Sequence, residues 1–394
     1  MNNNKYIPLL RFPEFQNEEE WKRYKLCNIA VKKREKNTQN FKLPIYTNSA
    51  LNGVINQEEY FDRQIINKEN LVNYGIIESN DFVYNPRISV VAPVGPISRN
   101  KLSRGIMSPL YIIFCFKEGN IDFFEHYFKG NNWHSYIKAK ANYGARFDRI
   151  NISISDFMDI PVPYPALKEQ RKIAEFFSSL DNYIDATKRK LEQLKEHKKG
   201  LMQRLFPAKG KTIPELRFPE FQNDGEWVEV PFGSIINVNS GKDYKHLDVG
   251  NIPVYGTGGY MLSVNDRLSD IDAVGIGRKG TIDKPQYLKA PFWTVDTLFF
   301  LTSSKNYDIR YLYYLCQTIP WKTYGEQTGV PSISKNSIDK LDVVITTNLV
   351  EQQKIAQSLL HLDNAMDAIK RKIHLLETHK YGLMQNLFPN LNNY

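Results

Sequence analysis

The stretch GIGRKG at residues 275–280 has the GxGxxG spacing of a phosphate cradle, with Gly275, Gly277 and Gly280 in place. Such a loop holds a dinucleotide only where a strand enters it and a helix opens inside it, because the helix N-terminus carries the pyrophosphate. AVGI at 273–276 can be the strand. The continuation, TIDKPQYLKAPF, contains Pro285 and Pro291 and cannot be the helix. The spacing therefore predicts a glycine-rich hairpin that presents Arg278 and Lys279.

Other reactive patterns are incomplete. There is no GxxxxGK[ST] loop. YNPRI (84–88) has the Asn-Pro of an amino-methyltransferase loop but lacks the second proline and the aromatic, and no FxGxG methyl-donor loop accompanies it. His126 and His134 have no partner at metal-ligand spacing, and His197 and His379 sit at matched positions that suit packing or a surface. Cys27, Cys115 and Cys316 lie far apart with no CxxC pair, which argues against zinc and disulfides and fits a reducing cytoplasm. No nucleophile–base pair can be argued, so the chain reads as a binder rather than a catalyst. Its net charge of +9 points to a polyanionic partner, of which nucleic acid is the usual one. No apolar run is long enough to span a membrane, and MNNNKYIPLL lacks the apolar core of a signal peptide.

The elements that must position these residues come in two copies. IPLLRFPEFQNEEEW (7–21) is repeated as IPELRFPEFQNDGEW (213–227), and EQRKIAEFFSSLDNYIDATKRKLEQLKEHKKGLMQRLFP (169–207) as EQQKIAQSLLHLDNAMDAIKRKIHLLETHKYGLMQNLFP (351–389). In the second pair, the seam positions are Ile173, Phe177, Leu180, Ile184, Thr187, Leu191 and Leu194, and Ile355, Leu359, Leu362, Met366, Ile369, Ile373 and Leu376. The steps of four and three predict two long helices with heptad seams, interrupted at Lys198 and Lys380 and stopped at Pro207 and Pro389. The domain plan is a first globular segment at 1–165, a long helix at 166–207, a second globular segment at 208–348, and a long helix with a tail at 349–394.

Each helix of about 39 residues would be about 58 Å long, whereas a segment of about 140 residues is roughly 35–40 Å across. Parallel helices would require the second segment to reach back along the whole rod, so the helices are expected to run antiparallel, with one globular segment at each end. Strand-like runs fill both segments: LPIY (43–46), DFVY (81–84), ISVVAPV (88–94) and PLYIIFCF (109–116) in the first, and IPVY (252–255), AVGI, TLFFLT (297–302) and LDVVIT (341–346) in the second. IDFFEHYF (121–128) and IRYLYYLCQ (309–317) read as aromatic helices. The fold class is α+β: two globular domains, each with a curled, mostly antiparallel sheet, separated by two long antiparallel helices forming a coiled coil in a pseudo-twofold repeat. LPIY and IPVY are expected to occupy the same place.

This pattern resembles the specificity (S) subunit of Type I restriction–modification enzymes. The resemblance is carried by the LRFPEF…W openings, by the helix entries PALKEQRKIAEFFSSLD and NLVEQQKIAQSLLHLD, by the KRK…GLMQxLFP helix ends, and by GIGRKGTI…FWTVDTLFFL. It covers essentially the whole chain. It implies that each globular segment is a target-recognition domain for one half of a bipartite double-stranded DNA sequence. It also implies that the helices are the ruler and the platform for two methyltransferase subunits. Those partners would bind S-adenosylmethionine and methylate adenine, and motor-nuclease subunits using ATP and Mg would complete the assembly; this chain would hold no cofactor itself. NPRISVVAPVGPISRNKLSRG stands where the second segment has GIGRKGTIDKP, a departure from the pattern on which a one-to-one transfer of contacts between the two segments would rest. A self-sufficient DNA methyltransferase or nuclease, and a coiled-coil adaptor, are the alternative readings.

For DNA, Lys and Arg serve phosphates, and side chains on base edges serve sequence choice. The expected contacts in the first segment are Arg87, Arg99, Lys101, Arg104, Arg146 and Arg149, with Asn48, Ser49 and Asn52 as further polar candidates. In the second they are Lys242, Tyr244 and Lys245 after NSG, Arg278 and Lys279 on the hairpin, and Gln327, Ser332 and Ser334 around QTGVPSIS. The helix length caps the separation of the two DNA blocks at roughly 17 base pairs.

Overall fold

The computed structural model describes residues 6–60, 68–142, 148–304, 306–325 and 329–389. Arg146 and Gln327 lie outside them. The chain divides into two compact units, one of residues 1–187 with 372–394, the other of residues 188–371.

The first unit contains strands β1 (Lys22–Lys25), β2 (Ala30–Lys32), β3 (Ile45–Ser49), β4 (Gly53–Asn56), β5 (Gly75–Ile77), β6 (Phe82–Tyr84), β7 (Ile97–Arg99), β8 (Gly105–Met107), β9 (Ile112–Phe116) and β10 (Pro161–Tyr164). β1 and β10 form a two-stranded antiparallel ladder. One sheet has the order β2-β9-β6-β7 and a second the order β4-β3-β8-β5, in which only β3 and β8 run parallel. Helix α1 (Ile121–Lys129) is capped by the Asn120 side chain, which accepts from the Phe123 amide. It buries Phe123, Phe124, Tyr127 and Phe128 in the core.

The second unit repeats this plan with β11 (Val228–Pro231), β12 (Ile236–Ser240), β13 (Val249–Gly256), β14 (Gly259–Val264), β15 (Ala273–Gly277), β16 (Gln286–Leu288), β17 (Trp293–Thr294), β18 (Leu298–Ser303) and β19 (Asp342–Ile345). β11 pairs β19; the sheets have the orders β12-β18-β15-β16 and β14-β13-β17. Each unit thus holds two sheets and a ladder instead of one curled sheet. The strands are mostly three to six residues long, too short to run through a continuous curl. LPIY and IPVY do occupy one place: β3 and β13 each take an antiparallel hairpin partner on one side and a parallel strand on the other. ISVVAPV is not a strand despite its β-branched content; it is a turn and loop between β6 and β7.

Two helices of 39 residues each, α2 (Leu167–Leu205) and α4 (Leu349–Leu387), cover the two duplicated heptad stretches; between them lies α3 (Ile309–Thr318), the counterpart of α1. In the first unit the start of α2 meets the end of α4. Phe177 stacks with Phe388 at 6.1 Å, Asp181 pairs with Lys380, and Lys372 Nζ lies 4.9 Å from the Tyr183 ring centre. In the second unit the end of α2 meets the start of α4, with Met202, Leu205 and Phe206 in one core with Ile355, Ala356 and Leu359. The helical segments in each unit therefore run antiparallel, as the length argument requires. Phe176 packs on Phe12 of its unit, while Leu375 stays exposed.

The duplicated motifs explain one another. Arg11 of the first RFPEF grips Glu169 at the start of α2 through two bonds of 2.8 Å, and Arg217 of the second grips Glu351 at 2.7 and 3.0 Å. The neighbouring glutamines brace the aromatic helices: Gln170 accepts from the Asn120 amide and Gln352 from the Asp308 amide, both at 2.8 Å. The Leu10 amide donates to the Asn386 carbonyl at the end of α4, as the Leu216 amide does to Arg204 at the end of α2.

Candidate nucleic-acid interface

The hairpin predicted around GIGRKG is present: β15 and β16 pair antiparallel, and residues 278–285 connect them. A Cβ on Gly277 would fall 2.2 Å from the Thr281 carbonyl oxygen, so the chain there folds back on itself too tightly for a side chain. The connection is not free. The Arg278 carbonyl accepts from the Ile333 amide at 3.0 Å and the Gly280 amide donates to Pro331 at 2.8 Å, which places Lys279 opposite Ser332. Arg278 and Lys279 are both exposed, and the Arg278 guanidinium lies 5.8 Å from the Phe299 ring centre.

A second basic loop joins it. The Lys242 amide donates to the Thr294 carbonyl at 2.9 Å and the Arg278 amide to that of Thr297 at 2.8 Å, so both loops are anchored on the short run from the end of β17 to the start of β18. Lys242 and Lys245 are exposed. Tyr244 packs its ring against the cluster of Val254, Val264 and Trp293, so it is largely a scaffold residue. Ser334 is the N-cap of the short helix Lys335–Asp339, its oxygen accepting from the Ser337 amide at 3.1 Å. Of the described hydroxyls in QTGVPSIS, that of Ser332 is the one set beside a loop cation.

The first unit builds the same arrangement from unrelated residues. β6 and β7 form the equivalent hairpin. The Ile88 amide donates to Asp148 at 3.1 Å and the Ile150 amide to Pro86 at 2.9 Å, placing Arg87 opposite Arg149. Arg87 thus takes the place of Lys279, and Arg149 that of Ser332. The helix that follows is again capped by a serine, Ser153. The transfer of positions between the two segments holds in the backbone although NPR and GRK share no pattern. Arg87, Arg149, Asn85, Tyr46, Tyr74 and Tyr111 line a cavity of about 290 Å³. Among the described residues Arg149 pairs with its neighbour Asp148, at 3.4 Å, and its buried Nε has no hydrogen-bond partner.

Arg99, Lys101 and Arg104 are engaged within the fold. Arg99 bonds Asn80, Asp122 and Glu125; Lys101 meets Glu125 at 2.7 Å; Arg104 meets Glu78 at 3.0 Å and Glu35 at 3.2 Å. Burial would raise the Glu125 carboxyl, but Lys129 and Lys101 overcome it and hold the group at about 2. Asn48 is a buried strut: its amide donates to the Val83 and Pro96 carbonyls at 2.9 and 3.1 Å. Ser49 Oγ accepts from the Leu51 and Asn52 amides. Asn52 is exposed beside this turn. A charge count cannot separate Arg87 from Arg99, because the carboxylates that engage Arg99 arrive from another element.

Among the described residues no helix is long and apolar enough to cross a membrane, and no group of three or more His, Cys, Asp or Glu could hold a metal. His126 and His134 are both pushed down to about 4 by burial, with Lys129 and Lys138 nearby adding to it. His126 lies against Phe177 and bonds Ser178.

The model of the Type I restriction modification DNA specificity domain matches twice, at residues 18–196 and 224–378. A Type I restriction enzyme MjaVIII specificity subunit from Methanocaldococcus jannaschii is 24% identical over 294 residues, covering 64% of this chain and 66% of that protein. A putative type I specificity subunit from Mycoplasma genitalium is 22% identical over 253 residues, covering 61% and 65%. The chain thus spans just under two thirds of the length of these relatives. In three dimensions it resembles the S subunit of a Type I restriction–modification system from M. genitalium, with a TM-score of 0.62 at 17% identity over 98% of this chain and 100% of that one. A chain from a study of assembly and conformational transition in the type I R-M system gives a TM-score of 0.58 at 15% identity, covering 93% and 96%. With its two matched domains spanning most of its length, the chain belongs to the Type I restriction modification DNA specificity domain family.

Proposed function

We propose that this chain is the DNA-recognition subunit of a Type I restriction–modification complex, each unit reading one block of a bipartite double-stranded target. The observation that carries the reading is the matched pair of projections, Arg87 opposite Arg149 and Lys279 opposite Ser332, built on equivalent hairpins of two homologous units. Cations at both sites supply phosphate affinity, and the polar groups beside them supply base choice. The chain itself carries no catalytic step. Two methyltransferase subunits, holding S-adenosylmethionine, and motor-nuclease subunits, using ATP and Mg, are the partners it serves, in the cytoplasm.

The test is to map methylated adenines in a host carrying this chain with its methyltransferase partner. Modification confined to one bipartite sequence is expected. Methylation unchanged when this chain is removed would overturn the reading. A methyl-donor binding assay on the isolated chain separates it from a self-sufficient methyltransferase, and a gel shift on mixed duplexes at two salt concentrations separates it from an adaptor.

A further inference from the structure

Ser89, Val90, Val91 and Ala92 form a tight turn in the connection between β6 and β7. The Ser89 amide donates to the Ala92 carbonyl at 3.0 Å, and the Ala92 amide returns to the Ser89 carbonyl at 3.2 Å and to Ser89 Oγ at 3.1 Å. Its two central residues, Val90 and Val91, are 101% and 60% exposed. Scattered surface valines need no explanation. Two adjacent β-branched residues at positions that favour Gly, Asn, Asp or Pro have no local reason to be there.

The stem below them is rigid. Ala92 and Val94 are buried, and the Tyr84 hydroxyl donates to the Val94 carbonyl at 2.9 Å. Gly95 has φ 80°, and a Cβ there would meet the Asn85 carbonyl oxygen at 2.1 Å. The tip is therefore held out by a buried base rather than left loose. That base is the Arg87–Arg149 pairing, since Ile88, which bonds Asp148, directly precedes the turn. In the second unit the corresponding connection keeps its isoleucine, Ile282, only 1% exposed. The apolar tip belongs to the first unit's projection.

We propose that Val90 and Val91 read thymine in the DNA block bound by the first unit, packing against its 5-methyl group in the major groove. This rests on the DNA-reading function proposed above. Duplex DNA is the occupant that the charges select: Arg87 and Arg149 stand at the foot of the tip, and Lys279 takes the place of Arg87 in the other unit. A major-groove edge presents hydrogen-bond donors and acceptors, and beside them one apolar group, the thymine methyl. A stiff apolar tip set above phosphate-binding cations has that group as its complement.

The experiment uses the full chain, alone and with its methyltransferase partner, and a duplex selected by it from a random pool. Each thymine is replaced in turn by deoxyuridine, which removes only the methyl. Wild type is expected to lose about fourfold in affinity per contacted methyl, at one or two positions confined to one block. The Val90→Ser, Val91→Ser variant is expected to melt like wild type and to bind thymine and uracil duplexes equally. Indifference of wild type to uracil at every position overturns the inference while leaving the DNA reading standing. So does a variant that keeps the discrimination, or one whose only change is lost self-association of the chain. Failure of wild type to select any sequence overturns the DNA reading itself, and this inference with it.

Discussion

Lys198 Nζ lies 2.7 Å from Asp363 Oδ1, joining the end of α2 to the start of α4 within the second unit. The first unit repeats the pair with exchanged helices, Lys380 to Asp181. Both lysines interrupt a heptad seam, and both interruptions are filled by an acid on the facing helix. In the second unit the Tyr314 hydroxyl donates to the other oxygen of Asp363 at 2.7 Å, and its ring lies 5.0 Å from Lys198 Nζ. His126 holds the equivalent position on α1.

Removing Asp363 leaves a partly buried ammonium and a phenol without their acceptor. Asp363→Ala is expected to destabilise the chain by about 1–3 kcal/mol. Lys198→Met alone should cost less, because the Asp363 carboxylate it leaves behind is one-quarter exposed and keeps the Tyr314 hydroxyl. A double-mutant cycle by urea denaturation should give a coupling of at least about 0.5 kcal/mol. Additive single effects would show that the two groups act independently.

The Arg217–Glu351 pair is almost fully buried, with side-chain exposures of 8% and 1%. Arg217→Ala is expected to cost about 3–5 kcal/mol, since a buried carboxylate loses its counterion. Arg217→Lys should not restore stability, because an ammonium cannot make the forked pair. Thermal melting of the two variants and wild type measures both statements, and wild-type stability of Arg217→Lys would refute the second.

Acid should weaken the first unit in two steps. His126 and His134 have folded pKa values near 4, below the ordinary 6.5, because burial disfavours their charged forms. The unfolded chain therefore binds more protons, and stability present above pH 6.5 falls as pH drops toward 4, for His126 by on the order of 3 kcal/mol. His126 faces Lys129, Asp181, Glu125 and Lys380, whose charges set the rest of its environment. Glu125, near 2, adds a second loss between about 4.5 and 2. Denaturation midpoints from pH 7 to 4 should show a shallower slope in His126→Gln.

Cations on the projections and cations engaged by carboxylates should separate in a salt titration of DNA binding. Arg278→Ala with Lys279→Ala, or Arg87→Ala, should weaken binding and flatten the salt dependence by about one unit per lost phosphate contact. Arg99→Ala should leave the slope unchanged and lower the melting temperature, because its partners Asp122 and Glu125 lie in its own unit. An unchanged slope in the first two variants would remove those residues from the interface.

The chain's order by itself determined the duplication, the two long helices with their stops before Pro207 and Pro389, the aromatic helices and most strands. These follow from periodicity, capping and proline sterics, which act over a few residues. The duplicated arginine and glutamate were visible too, but not that one grips the other. The tertiary structure alone decided which charges are engaged. Lys198 and Asp363 stand 165 residues apart, and Arg99 meets Asp122 only because α1 packs beside β7. It also turned ISVVAPV from an expected strand into an exposed turn, and it aligned Arg87 with Lys279 through backbone pairing that no residue type records. Local rules carry the backbone's shape; partners distant in sequence are brought together only by packing.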